Sequence, residues 1–164
     1  MIVVYKSNTG YTKQYAKMLS SKLDVPAYSL DEVPECHRGR DAVFLGWLFA
    51  GSIVGYKKAA RLCRLRAVCG VGMSPPSQKL TDALRAKMGI PSSVGVFYLQ
   101  GGFDMEKLSG PFKLVMKYKC REIAERLSLR AELSPEEQAT YQMAHGEGSA
   151  VSEANLAEVL AYLR

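Results

Sequence analysis

Short runs of apolar residues alternate with amphipathic segments over the first two thirds of the chain. Four of the apolar runs are unbroken, rich in Val, Phe and Leu, and bounded by glycine or polar residues, which is typical of strands buried on both faces of a sheet. A fifth segment, 27–30, is more polar and follows a proline, which favours a strand at the edge of the sheet. The four buried strands are predicted at 2–5, 42–45, 67–71 and 94–99.

Helical periodicity fills the segments between these runs. Apolar residues share one face of 11–23, and they recur every four residues in 77–88, which is followed by a glycine. The segment 55–62 is a shorter helix candidate. Strands and helices that alternate in this way need right-handed crossovers and a parallel sheet covered on both faces. We therefore predict a single doubly wound α/β domain that takes up the whole chain, 1–164, with five parallel strands.

The C-terminal third has no strand pattern and is predicted to consist of helices. A basic helix at 111–130 has a proline at its start, and a short helix at 135–144 is followed by a glycine-rich loop at 145–150. The last helix, 152–163, has Ser152 as its N-cap. Its apolar stripe predicts that it packs on the sheet.

Composition and charge narrow the class of protein. Of 164 residues, 48% are apolar and 23% are charged, which is ordinary for a folded globular protein. No apolar run reaches the roughly 18–20 residues that cross a bilayer, and the first residues lack a secretory signal, so a cytoplasmic protein is expected. The net charge of +6 favours an anionic ligand, an acidic partner or a lipid surface. No nucleic-acid motif accompanies the charge, so no nucleic-acid partner is predicted.

Cysteine and histidine are too few and too scattered to predict a metal site. The chain has two histidines, and its four cysteines form no CxxC pair, which favours reduced thiols. No Ser/His/Asp set or pair of carboxylates stands out either, which disfavours a hydrolase. The cysteines are Cys36, Cys63, Cys69 and Cys120.

The loop between the first strand and the first helix is the most informative segment. A strand-to-helix turn aims backbone N–H groups and the positive end of a helix dipole at one point, which makes an anion site. Its glycine lets the backbone curl closely, and its three hydroxyls can donate to phosphate oxygens. It is neither a Walker A loop nor a dinucleotide fingerprint, and simple helix capping is the alternative explanation of the hydroxyls. The loop consists of Ser7, Asn8, Thr9, Gly10, Tyr11 and Thr12.

This loop has the pattern Ser/Thr-x-Thr-Gly-x-Thr and resembles the phosphate loop of flavodoxins and related FMN-binding proteins. The segments 46–51 and 71–76, which leave the third and fourth of the five predicted strands, resemble the two flavin loops of the flavodoxin-domain family. The likeness extends along nearly the whole chain. Towards the C-terminus, 112–117 and the Ser-capped last helix resemble the flavodoxin-type protoporphyrinogen oxidases, which pass electrons to quinone.

The resemblance implies a flavodoxin-like sheet of order 2-1-3-4-5, with FMN bound at the switch point between strands one and three. The phosphate would lie on 7–12 and the ring against the two flavin loops. Trp47 and Phe49 are the candidates for stacking on the ring, and packing in the core is the alternative for both. The implied ring-binding residues are Trp47, Leu48, Phe49, Ala50, Gly51, Gly72, Met73 and Ser74.

We therefore expect an FMN-dependent oxidoreductase that passes electrons between the flavin and a small aromatic, porphyrinogen or quinone substrate. The alternative is a flavodoxin-type electron carrier that serves protein redox partners. Two features favour the enzyme. The chain is basic, whereas the carriers are typically acidic, and 72–74 contains no aromatic residue to cover the second face of the ring.

The basic helix 111–130 has two alternative roles. Its lysines and arginines beside apolar residues are typical of a helix that lies on an anionic lipid surface, which would give a cytoplasmic protein peripheral membrane contact. Alternatively, its apolar stripe packs on the core and its lysines face water.

Overall fold

A computed structural model shows a parallel sheet with helices on both faces. It describes residues 1–102, 113–114, 117–118, 121–122, 125, 128–129 and 149–164. The strands are β1 (Ile2–Lys6), β2 (Ala27–Ser29), β3 (Asp41–Phe49), β4 (Ser52–Ile53), β5 (Arg64–Gly72) and β6 (Gly95–Gln100). The helices are α1 (Tyr11–Leu23), α2 (Tyr56–Leu62), α3 (Gln78–Met88) and α4 (Ala157–Leu163), with 3-10 turns at Glu35–His37 and Glu153–Leu156.

The order of the strands confirms the predicted topology. The sheet runs β2-β1-β3-β5-β6, and the two-residue β4 pairs antiparallel with the end of β3. With β4 set aside, the five parallel strands follow the order 2-1-3-4-5, which is the flavodoxin-like doubly wound order. The more polar β2 lies at the edge, as its sequence predicts. In this topology the switch point lies between β1 and β3.

Each face of the sheet has its own apolar core because strand side chains alternate between the faces. On one face, Ile2 and Val4 of β1 belong to a cluster that includes residues of α2 and α3. On the other face, Val3 packs in a cluster with residues of α1 and α4. The prediction that the last helix packs on the sheet is confirmed, since Leu156 and Val159 are fully buried there.

The structure differs from the prediction mainly at the ends of the elements. β3 continues beyond the predicted end at residue 45 to Phe49, because Trp47 still pairs with β5 and the next two residues pair with β4. The last helix begins as a 3-10 turn. At its start, the backbone nitrogen of Ala154 donates to the Ser152 hydroxyl at 3.2 Å.

The predicted C-terminal helices are only partly described. Within the predicted helix 111–130, residues 113–114, 117–118, 121–122, 125 and 128 are helical. The rest of that helix, the helix predicted at 135–144 and most of the loop at 145–150 lie outside the described residues. None of the helices in the described part of the chain has the length and apolar character needed to cross a bilayer.

A buried tyrosine joins the C-terminal segment to the sheet. The Tyr15 hydroxyl donates to the carbonyl oxygen of Gln100 and accepts from the side-chain amide of Asn155 at 2.6 Å. The same amide donates to the carbonyl oxygen of Ala150 at 2.8 Å. Since Tyr15 is fully buried, each of these polar groups needs its partner inside the protein.

Candidate functional site

The N-terminus of α1 follows a tight turn. Its N-cap is Gly10, which has a φ of 96° and no side-chain cap. A residue other than glycine adopts such a φ only with strain, so glycine lets the loop turn directly into the helix. The first N–H groups of a helix have no partner within it, and the glycine at the N-cap has no side chain that could accept from them.

The hydroxyl groups of the loop have different surroundings. The Ser7 hydroxyl accepts a hydrogen bond from the backbone nitrogen of Gly10 at 3.2 Å and so stabilises the loop itself. Thr12 lies in the first turn of α1, is 2% exposed and lines a cleft together with Thr9. The first turn of α1 contains no acidic residue, which would repel an anion, and it contains Lys13.

The cleft has a volume of about 280 Å³ and opens at the carboxyl ends of β1, β3 and β5. Ligands of open α/β sheets bind beyond these strand ends, at the switch point. The described lining contains no charged side chain. The residues that line it are Asn8, Thr9, Tyr11, Thr12, Trp47, Leu48, Gly51, Val71, Gly72, Met73, Ser74, Leu80, Tyr98 and Gly102.

One wall of the cleft is the hairpin formed by the end of β3 and β4. Trp47 lines the cleft, and Phe49 packs against it with ring centroids 5.7 Å apart and ring planes at 56°. The two side chains lie on the same side of the strand because its side-chain period is two. Phe49 itself does not line the cleft. The backbone nitrogen of Val54 donates to the carbonyl oxygen of Trp47 at 3.0 Å and closes the hairpin.

A second wall is the segment that leaves β5. Backbone and side-chain hydrogen bonds from β6 and the residue after it hold this segment in place. The nitrogen of Gly101 donates to the carbonyl oxygen of Gly72 at 2.7 Å, and the side-chain amide of Gln100 donates to that of Met73 at 3.3 Å. Burial raises the pKa of the Tyr98 hydroxyl, and a hydrogen bond with Ser74 lowers it in part.

The packing around Gly72 leaves no space for a side chain at this position. A Cβ atom on this residue would lie 2.4 Å from the hydroxyl oxygen of Tyr98 and 2.9 Å from Cδ1 of Leu48. Both of these side chains line the cleft. The absence of a side chain at Gly72 therefore lets the tyrosine and the leucine approach the backbone where β5 ends.

The structure brings most of the sequence-predicted residues together and leaves four of them off the cleft. Ser7 and Gly10 line a depression beside the cleft, Phe49 packs against Trp47, and Ala50 is exposed at the tip of the hairpin. The other ten line the cleft: Asn8, Thr9, Tyr11, Thr12, Trp47, Leu48, Gly51, Gly72, Met73 and Ser74.

Four further residues line the cleft. Val71 begins the segment 71–76, which resembles a flavin loop, but was not among the predicted ring-binding residues. Tyr98 belongs to a strand recognised as buried and Leu80 to the apolar stripe of α3, so both also fit a core position. Gly102 follows β6, where paired glycines have an ordinary explanation as a turn. The signal that could have found Tyr98 and Gly102 is their position near the carboxyl end of a strand, where ligands of such sheets bind.

Beside the cleft, an acidic residue offsets part of the positive charge. Lys58 and Lys6 both form ion pairs with Asp31, and these two cations lower the pKa of that carboxyl to about 2. Lys13 lines the same depression, at the start of α1. Glu32 lines it as well, so the lining of the depression has two lysines and two carboxylates.

The described residues hold no group of three or more histidine, cysteine or acidic side chains that could bind a metal ion. The lining also contains no histidine, carboxylate or thiol that could act as a general acid, a general base or a nucleophile. The polar groups of this lining are hydroxyls, backbone groups, the side-chain amide of Asn8 and the indole of Trp47. Compared with protein families, curated proteins and solved structures, the chain gives no significant match.

Proposed function

We propose that the cleft binds FMN and that the protein is an oxidoreductase that passes electrons between the flavin and a flat aromatic, porphyrinogen or quinone substrate. One observation carries this proposal. The uncapped N-terminus of α1, with the hydroxyls of Thr9 and Thr12, opens into the same cleft as Trp47. A phosphate site and an aromatic wall in one cleft are the two elements that a flavin mononucleotide requires.

The chemistry of the donors fits a phosphate monoester. Backbone N–H groups at the start of α1 and the hydroxyls of Thr9 and Thr12 are all donors to phosphate oxygens. Lys13 adds positive charge nearby. Burial of Thr12 shields its hydroxyl from water, which strengthens a hydrogen bond to an anion.

The rest of the cleft fits a flat ring. Trp47 supplies an aromatic face, and Leu48 and Leu80 add apolar surface. The volume of about 280 Å³ lies near the lower end for small-molecule sites, which suits a ligand whose outer edge stays exposed. The segment Gly72 to Ser74 adds no aromatic side chain, so a flat substrate has room to approach the ring there.

When bound, FMN supplies a ring that accepts and releases electrons, which the neutral lining of the cleft does not do by itself. The residues of the chain bind and orient. The start of α1 holds the phosphate, Trp47 covers the ring and the leucines exclude water from it. The absence of charged side chains from the described lining is compatible with this division of roles.

The test compares FMN with riboflavin, which lacks the phosphate. Flavin fluorescence is titrated with the wild-type protein and with the Thr9→Ala/Thr12→Ala double variant. We expect FMN affinity to fall by roughly 10- to 150-fold for each lost hydrogen bond to the phosphate, from about 1.5–3 kcal/mol per bond. Riboflavin affinity should stay unchanged.

Thr81→Ala is the matched control. This hydroxyl donates to the carbonyl oxygen of Ser77 at 3.3 Å within α3, and Thr81 does not line the cleft. The control should bind FMN as the wild type does. A wild-type protein that does not bind FMN, or a double variant with unchanged FMN affinity, would refute the proposed site.

Turnover separates the enzyme from an electron carrier. The FMN-loaded protein should oxidise a porphyrinogen in repeated cycles, with a quinone as the electron acceptor that is reduced, when no other protein is present. Activity only together with a reductase would instead support the carrier that serves redox partner proteins. The cytoplasmic location and the membrane contact of the 111–130 helix stay predictions from the sequence.

A further inference from the structure

The turn at the tip of the β3–β4 hairpin has an unusual composition. Phe49 pairs with Ser52, so Ala50 and Gly51 are the two central residues of a two-residue hairpin turn. Their φ angles are 47° and 70°. Turns with positive φ at both positions match the twist of a hairpin, and they favour Asn-Gly or Asp-Gly. Alanine rarely adopts this conformation, so an interaction outside the turn is needed to maintain it.

Lys87, near the end of α3, provides that interaction. Its Nζ donates to the carbonyl oxygen of Ala50 at 2.5 Å. The same Nζ lies 3.1 Å from the point that a Cβ on Gly51 would occupy, and Gly51 lines the cleft. A lysine of one helix therefore holds the tip of the hairpin that carries Trp47.

The position of this ammonium group has a second consequence. The described lining of the cleft has no charged side chain, whereas the Lys87 ammonium group, which is exposed to solvent, lies next to Gly51 at the rim. Reduction of a flavin ring by two electrons with uptake of one proton adds one negative charge to it. A nearby cation stabilises that charge and so favours the reduced ring.

We propose that Lys87 is a positioning residue of the cleft: its Nζ holds the Ala50–Gly51 turn, and its charge favours the reduced form of the bound flavin. The second half of this inference rests on the proposed function, whereas the first half concerns the protein alone. The two halves are therefore measured separately.

The first measurement is hydrogen–deuterium exchange of the protein without cofactor. In Lys87→Gln and Lys87→Met, the amide of Val54, which donates to Trp47, should exchange several-fold faster than in the wild type. Adding Ala50→Gly should restore slow exchange, because glycine adopts a positive φ without strain. Unchanged exchange in both Lys87 variants would overturn the positioning role.

The second measurement is a reductive titration of the FMN-bound protein with dithionite. In Lys87→Gln, the preference for reduced over oxidised flavin should fall by roughly three- to tenfold. This corresponds to about 15–30 mV for a two-electron couple. Lys87→Arg should keep the wild-type preference, and Ala50→Gly added to Lys87→Gln should not restore it, since glycine brings no charge.

Lys17→Gln is the matched control, because Lys17 is an exposed lysine in the middle of α1 that does not line the cleft. It should change neither measurement. An equal shift in Lys17→Gln and Lys87→Gln would show an effect of net charge and overturn the local role. If the wild type does not bind FMN, the proposed function fails, and the exchange measurement alone then decides whether Lys87 holds the turn.

Discussion

Addition of one methyl group at Gly72 is expected to distort the wall of the cleft and destabilise the fold. In Gly72→Ala, the new Cβ would lie 2.4 Å from the Tyr98 hydroxyl oxygen and 2.9 Å from Cδ1 of Leu48. Ordinary contacts are 3.4–4 Å, so the tyrosine hydroxyl must retreat by about 1 Å. Tyr98 is 8% exposed and its ring is rigid, which leaves it little room to move.

The size of the effect follows from overpacking of a buried site, which costs about 1–3 kcal/mol. For a chain of this length, 1 kcal/mol corresponds to about 2–4 °C in Tm, so Gly72→Ala should unfold about 2–12 °C below the wild type. Thermal unfolding followed by circular dichroism measures this difference. Titration with FMN and with riboflavin should show similar losses of affinity, because the change lies at the ring side of the proposed site.

A double-mutant cycle with Tyr98→Phe tests the cause. Without the hydroxyl, the nearest atom of residue 98 to the new Cβ is the ring carbon Cζ, at 3.0 Å. Tyr98→Phe by itself lowers the free energy of unfolding by about 1 kcal/mol, because the hydrogen bond to Ser74 is lost. Gly72→Ala should then be less costly in the Tyr98→Phe background by about 0.5–2 kcal/mol. Additive effects of the two substitutions would refute the proposed clash.

Three further predictions concern other parts of the protein. Since the pKa of Asp31 is lowered to about 2 by its two lysine partners, Asp31→Asn should destabilise by less than about 1 kcal/mol at pH 7. The difference should shrink as the pH falls from about 4 towards 2, because the carboxyl of the unfolded chain is protonated first and the native one only near pH 2. A constant difference in urea unfolding over this range would contradict this. Tyr15→Phe should destabilise by about 1–3 kcal/mol, because it leaves buried polar partners unpaired. An equal loss in the control Tyr5→Phe would contradict the role of that hydroxyl. Exposed Cys36 should react with a thiol reagent in the native protein at pH 8, whereas Cys69, whose burial raises the pKa of its thiol to about 12, should react only after unfolding. Mass mapping of the labelled residues measures this, and early labelling of Cys69 would contradict its burial.

Local patterns predicted the fold because the buried positions of both strands and helices are occupied by apolar residues at regular spacing. The run 67–71 is apolar at every position since both faces of β5 are covered, and the spacing of leucines in α3 matches its buried side. Where pairing depends on a distant segment, the same patterns predicted the ends of elements poorly. Trp47 and Phe49 belong to β3 only because β4 and β5 pair with them.

The sequence by itself determined the turn from β1 into α1, because a glycine between hydroxyl residues at the end of the first strand needs no distant partner to turn into a helix. Only the tertiary structure decided which side chains share the cleft. Tyr98 and Lys87 reach the site from elements far along the chain. The residues around them in the sequence do not distinguish them from an ordinary buried tyrosine or exposed lysine. The physical reason is that backbone conformation depends on near neighbours, whereas proximity across a sheet depends on the order in which its strands pair.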